Sequence, residues 1–392
     1  MTTTYGIGES NEQQRKSGYS VKRYTILHKG VLATALVDII LFYAIESGKN
    51  RLFMPVDNFF GDGAKLANFM KKAQDGDMKV LVIHTGGMPS PTVLAASAIE
   101  QQLKSYLELQ LVAEVDVIVL DNLAGADVTY DLATKIGAHI QEHYATYDGF
   151  VVIHSLDNTI YTANLLAFQL TNLGKPVIFT GTTIPEQFFN FPGNFSADEQ
   201  ISYREMSLRT SLVTSVQLAT QNCAGVMLAF GPHIIKAVRA VETSTPEQTG
   251  FVAWPDGDIA MVRFGIELDQ RTLKRHDDAP VFDERFSRAV VAFPRQPELY
   301  LRPLPATTRA ILLPTVQEQS VPSALKLPDH MLAVTVSSIF DQVTVSQPVL
   351  RLPPITPVAA HMKLLVAAGR YQTNSELTDY LQTNVIGEFG HL

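Results

Sequence analysis

Between Lys79 and Phe230 the chain repeats one pattern: a short, mostly apolar run, a loop, then a segment whose apolar residues recur every three or four positions. The runs are Val80–Ile83, Val115–Leu120, Phe150–Ile153, Val177–Phe179 and Val226–Phe230. Such runs, too short for helices, are the signature of strands covered on both faces. Between them, Leu132, Ile136, Ile140 and Tyr144 trace one side of a helix, with Asp127 or Thr129 placed to cap its start. Gly174-Lys175-Pro176 ends the helix before the fourth run in the usual glycine-then-proline order. Strands and helices in strict alternation lead to a parallel sheet flanked by helices, because parallel neighbours need a crossover between them.

Outside this region the texture changes. Residues 1–76 read as an N-terminal extension that opens on a polar tail and carries the apolar run Val31–Ile45, with Asp38 at its centre. A membrane-spanning helix needs about 20 apolar residues, so this shorter run is expected to pack against the first domain. The other uses of such a stripe are a contact between copies of the chain or the docking of a protein partner. The residues after it, Glu46 to Arg51, are charged and polar and offer no small-residue cleavage site. Residues 77–295 form the expected first domain, ending in an irregular linker from about Ile259 to Pro305 with weak strands only. A smaller α/β domain spans 306–392, with strands at Ala310–Leu313 and Leu332–Val336. Two helices close it, Val358–Ala368 and Ser375–Val385, the second capped at Asn374-Ser375.

Composition removes several functions. With 31 basic and 39 acidic residues and a net charge of −8, the chain has no footprint for a nucleic-acid backbone. Cys223 is the one cysteine, so neither an internal disulfide nor a thiolate zinc cage can form. A cytoplasmic protein without cofactor is the expectation. His84 and His154 stand singly at strand ends and read as residues bonded to backbone, so no metal site is expected either.

In an open parallel sheet, ligands bind beyond the carboxyl ends of the strands. That rule selects four loops: Thr85 to Thr92, Asp121 to Asp127, His154 to Thr159 and Gly181 to Pro185. Their sequences, VLVIHTGGM, DNLAGADVT, DGFVVIHSLDNT and KPVIFTGTTIP, lie in a frame that includes HIQEHYATYDGFVVIH, YTANLLAFQLTNLGKPVI and SLVTSVQLA. From Lys79 to Glu242 this order and spacing resembles the L-asparaginase/glutaminase family, whose loops read TGGT, HGTDT and GSQ-I-P. The chain end, AAHMKLLVAAGRYQTNSELTDYLQTNVIGEF, is similar to the family's closing helices. The resemblance implies a flavodoxin-like parallel-sheet domain plus a smaller α/β domain, an amidohydrolase site, and a dimer or tetramer of identical chains.

It also implies specific residues. The family uses a threonine in the first loop as nucleophile, and a second threonine with its neighbouring aspartate and a lysine as the activating set. A serine in the second loop holds the amino-acid end of the substrate. Here the first threonine position is Met88 and the second is Leu156, while the aspartate remains as Asp157. The serine position is Gly125, and the lysine position falls near Glu242. Without both hydroxyls the acyl-enzyme route is lost. Ser90 and Thr92, with Asp157, are the groups left for a relocated catalytic set. Thr85, Gly86, Gly87, Gly125, Asp127, Ser155, Asp157 and Thr182 are the expected ligand contacts. Asp157 has a plainer role open to it as well, capping a helix that begins at Thr159. Three functions follow: an altered or inactive relative serving as a ligand-binding, regulatory or structural subunit; an active amidohydrolase releasing ammonia from asparagine, glutamine or a related amide; and a pure protein-interaction module.

Overall fold

The first apolar run is drawn out into β1 (Lys79–Gly86), buried along seven of its eight residues. The computed structural model describes residues 78–87, 94–183, 196–245, 248–262, 265–276, 278–293, 302–313, 328, 330–336 and 349–390. The N-terminal extension with Val31–Ile45 lies outside the described residues, as do Met88, Ser90 and Thr92 of the first loop and Ile184 and Pro185 of the fourth. After β1 come α1 (Ala96–Lys104), α2 (Leu107–Gln110), β2 (Glu114–Leu123), α3 (Asp131–His143), β3 (Gly149–Ile153) and α4 (Thr159–Gln169). The two-residue β4 (Leu170–Thr171), β5 (Pro176–Thr180), α5 (Ala197–Ala219) and β6 (Gly225–Ala229) complete the repeating region.

Each of the five apolar runs is a strand. They stand side by side as β2-β1-β3-β5-β6, parallel throughout. Setting aside β4, which pairs elsewhere, this is the flavodoxin-like order 2-1-3-4-5, whose direction of winding reverses between β1 and β3. Ligand crevices open at that reversal, beyond the strands' carboxyl ends. Helices cover both faces. Ile99 of α1 and Leu212 and Val216 of α5 pack with Val151 and Ile178 on one side. Ile136 and Ile140 of α3 and Ile160, Leu165 and Phe168 of α4 pack with Phe150 and Phe179 on the other.

Two caps differ from expectation. Neither Asp127 nor Thr129 caps α3: Tyr130 is its first flanking residue, and no side chain bonds its start. The chain enters through a 3-10 turn at Gly125–Asp127, and main-chain bonds such as Leu132 N to Thr129 O (3.1 Å) meet the early N–H groups instead. For α4 the flanking residue is Asn158, so Asp157 is not a cap.

The stretch after β6 is more regular than its sequence suggests. β7 (His233–Lys236), β8 (Ala240–Thr245), β9 (Gln248–Ala253), β10 (Ala260–Val262) and β11 (Ile266–Leu268) follow in order. β7, β10 and β11 extend the main sheet antiparallel from β6, while β8 and β9 form a hairpin. The expected linker therefore contains strands, including β12 (Val281–Phe282) paired with β4 and β13 (Val290–Ala292). Elements of two or three residues are too short to show a hydrophobic period.

β13 begins a second sheet with β14 (Ala310–Leu313), β15 (Leu332–Val336) and β16 (Leu350–Leu352), parallel and in chain order. Two helices finish the chain, α6 (Pro357–Arg370) and α7 (Asn374–Gln382). Thr373 and Glu376 form a capping box at α7, one residue before the expected cap. Ten of the eleven residues of α4 are buried, which fits a helix apolar around most of its circumference. It lies against α3, α6 and β6, and one apolar core runs from Phe150 through Leu165 to Leu365 and Val334. The two sheets thus share their interior. Among the described residues no helix is long and apolar enough to cross a membrane.

Candidate functional site

The reversal between β1 and β3 brings three loops together by backbone packing. β1 ends in a register shift between His84 and Gly86. The backbone of Gly87, at φ 76°, runs so close to Ser155 that a Cβ there would stand 2.8 Å from its Cα. Thr85 is buried and donates its hydroxyl to the Ile153 carbonyl (2.9 Å), so it ties β1 to β3. Across the crevice, a Cβ on Gly125 would meet Ser155 Oγ and Asp157 Cβ, each at 2.6 Å. Asn158, in the left-handed conformation at φ 62°, donates from Nδ2 to the Gly125 carbonyl (2.5 Å) and holds the second and third loops together. Asparagine tolerates that conformation, a signal present in the Asp157-Asn158 pair but weak when read alone.

Gly87, Gly125, Ser155 and Asp157 therefore stand close together at the crevice. Asp127 is exposed at the end of the 3-10 turn. Gly181 and Thr182 are buried at the end of β5, and Thr183 bonds Ser207 of α5 through its N–H (3.0 Å) and hydroxyl (2.9 Å). The two strand-end histidines are structural. His154 donates from Nδ1 to the Ser155 carbonyl (2.7 Å) and meets Thr162 Oγ1 at 3.1 Å through Nε2. His84 donates from Nδ1 to the Asp121 carbonyl (3.0 Å). Burial lowers the pKa of each to about 4, leaving both neutral.

The charge at the site is negative. Glu242 of β8 keeps an exposed edge, yet its carboxyl is raised above the ordinary range, first by desolvation and then by the charge of Asp157. Burial, then the charge of Glu242, raises the phenol of Tyr161 in turn. Leu156 is half-buried and packs against the main core. The nearest cations in sequence are held elsewhere. Lys236 donates to the Gly387 carbonyl (3.4 Å), while Arg239 donates to the Phe389 carbonyl and pairs with Asp256 at 3.3 Å.

Tyr161 also lines an adjoining cleft of about 970 Å³ between the start of α4 and the carboxyl ends of the second sheet. Thr129, Tyr130, Asn158, Arg288 and His361 contribute its polar lining, and Phe293, Leu312 and Val336 part of its apolar wall. Arg288 pairs with Asp131 (2.8 Å) and lies over the Phe286 ring, 5.0 Å from its centroid. Burial lowers the pKa of His361 to about 4 and raises that of Tyr130. The cleft thus offers phenol and amide donors, a neutral imidazole and one guanidinium. Arg288 and His361 come from segments far along the chain, and no local motif marks them.

Residues 79–274 match the family model described as "Asparaginase, N-terminal". The chain is 50% identical to L-asparaginase 1 of Escherichia coli (strain K12) over 60 residues, which covers 15% of this chain and 18% of the relative. It is 28% identical over 243 residues to one component of the glutamyl-tRNA(Gln) amidotransferase of Pyrococcus abyssi, covering 56% of this chain and 51% of that protein. These alignments span about a fifth and about half of the two relatives. The solved L-asparaginase I of Vibrio cholerae O1 biovar eltor shares the fold, with a TM-score of 0.63 and 21% identity over 80% of this chain and 99% of that one. With its parallel sheet in the 2-1-3-4-5 order and half its length matched by the family model, the chain belongs to the asparaginase family.

Proposed function

We propose that this family member no longer hydrolyses amides by the threonine route and that its strand-end site binds a small amino-acid-like ligand, within a regulatory or structural subunit. The observation that carries this reading is the pair formed by Asp157 and Glu242, with half-buried Leu156 packed against the core beside them. Acyl transfer needs a hydroxyl, a base to take its proton and donors for the oxyanion. At the second threonine position Leu156 offers no oxygen, and Glu242 adds a second negative charge where the resemblance places a lysine. A neighbouring carboxylate that raises the pKa of Glu242 favours a positive group between the two. Arg288, in the adjoining cleft that shares Tyr161, suits an acid. A zwitterion matches both. We place the protein in the cytoplasm as a dimer or tetramer, with the N-terminal extension as its assembly or docking element.

Ammonia release from asparagine and glutamine at high protein concentration is expected to stay at the level without protein. Turnover abolished by Ser90→Ala or Asp157→Ala would overturn the proposal and favour an active amidohydrolase. In a thermal-shift series of amino acids, simple amines and dicarboxylates, an amino acid is expected to raise the melting temperature, and Asp157→Asn or Glu242→Gln to cancel the rise. No shift with any compound would favour a pure interaction module. Light scattering on the full chain and on a deletion of residues 1–50 checks the assembly.

A further inference from the structure

One group on α3 takes no part in the strand-end site. His139, Glu142 and His143 follow the spacing H-x-x-E-H, which sets two imidazoles one helical turn apart with a carboxylate beside them. One candidate ligand atom from each lies within 4.8 Å of the other two. The imidazole rings are stacked, with centroids 6.1 Å apart and planes at 18°. Glu142 Oε2 stands 3.9 Å from His139 Nδ1 and 4.0 Å from His143 Nδ1.

Two further details bear on metal binding. His143 Nδ1 donates to the His139 carbonyl at 2.9 Å. A carbonyl can only accept, so the neutral ring carries its proton on Nδ1 and keeps the Nε2 lone pair, as in histidines held for a metal by an outer hydrogen bond. Nδ1 of His139 is buried and has no hydrogen-bond partner among the described residues, although a carboxylate lies close by. A cation between that nitrogen and Glu142 would satisfy both.

We propose that His139, Glu142 and His143 bind one borderline divalent cation, of the zinc or nickel type, with a remaining position open to water or to a ligand from another molecule. Two imidazoles and one carboxylate suit these ions, whereas magnesium and calcium take oxygen donors. Ligand bonds of about 2.0–2.2 Å place neighbouring donors on one zinc roughly 3.3 Å apart, so the three side chains draw together on binding. They have room to do so, because His139, His143 and Glu142 keep 36%, 32% and 70% of their side-chain surface in solvent. The buried stripe of α3, Leu132, Ile136 and Ile140, need not move. α3 runs from the carboxyl end of β2 to the amino end of β3. Its last turn therefore sits at the opposite edge of the sheet from the crevice, and the metal group is independent of the ligand proposed there.

Isothermal titration of the full chain with zinc chloride is expected to give a site of one equivalent that is weakened more than roughly tenfold by His139→Ala and by His143→Ala. Even an outer-shell partner is worth about 10–100-fold in metal affinity. Cobalt(II) is expected to give ligand-field absorption with the wild type that both variants lose. Because both side chains lie outside the core, circular dichroism melts without metal should match the wild type and show that the variants fold. The proposal is overturned if the wild type binds no zinc, or if the double variant His139→Ala/His143→Ala binds it within about threefold of wild-type affinity.

Discussion

Gly125 carries the tightest constraint at the crevice. The start of any side chain there coincides with Ser155 Oγ and Asp157 Cβ, both at 2.6 Å, in a residue that is itself buried. Gly125→Ala is therefore expected to lower stability by about 1–3 kcal/mol through overpacking. The midpoint of urea unfolding measures it, and an unchanged midpoint would show that the second and third loops do not meet as described. Ser155 and Gly125 illustrate what single residues disclose. The sequence shows that the second loop lacks a hydroxyl and that the third has one. Only packing shows that Ser155 brings its oxygen to the place from which a side chain on residue 125 would grow.

At the scale of elements, α6 and the chain end are held by a fully buried ion pair. Lys363 Nζ donates to Glu388 Oε1 (2.6 Å) and to the carbonyls of Leu381 (3.0 Å) and Thr383 (2.6 Å), and it lies 4.3 Å from the centre of the Phe389 ring. Glu388 in turn accepts from the N–H groups of Val385 (3.1 Å) and Ile386 (2.9 Å). Burial pulls the lysine below its ordinary pKa, opposed by the charge and hydrogen bond of Glu388. Removing one partner leaves a buried charge unmatched. Lys363→Met should accordingly cost about 3–5 kcal/mol, seen as a lower urea midpoint at unchanged slope, whereas Lys363→Met with Glu388→Gln should recover part of the loss. A midpoint for Lys363→Met within about 1 kcal/mol of wild type would count against the pair's burial. Caps follow the same logic at smaller scale: the capping box of Thr373 and Glu376 stands in the sequence as T-x-x-E, but the neighbouring Asn374-Ser375 is an equally good signal until the helix start is seen.

For the whole molecule, acid sensitivity follows from three imidazoles, His84 and His154 sealed beside the main sheet and His361 half-buried in the adjoining cleft. All three titrate near 6.5 when unfolded and near 4 when folded, in each case chiefly because burial disfavours the charged ring. Between those values the unfolded chain binds more protons. Stability is complete above about pH 6.5 and declines as pH falls toward 4, by at most about 1.4 kcal/mol per pH unit for each histidine. Thermal melts between pH 7 and pH 4 should show this decline, and His84→Gln should make it shallower. A melting temperature independent of pH over that window would contradict the burial of these rings.

Sequence by itself determined the parallel core of this protein, because strands covered on both faces must be continuously apolar and their crossovers must be helical. It also determined the identities Met88, Gly125 and Leu156 at the positions where the resemblance expects hydroxyls, and identities need no geometry. Tertiary structure alone decided the antiparallel extension of the main sheet, whose three- and four-residue strands are stabilised by their neighbours and carry no period of their own. It decided that Glu242 faces Asp157 while Lys236 and Arg239 reach the chain end. Charge neighbours across 85 residues of sequence are set by how β8 and the loop after β3 come together, and no local pattern records that meeting.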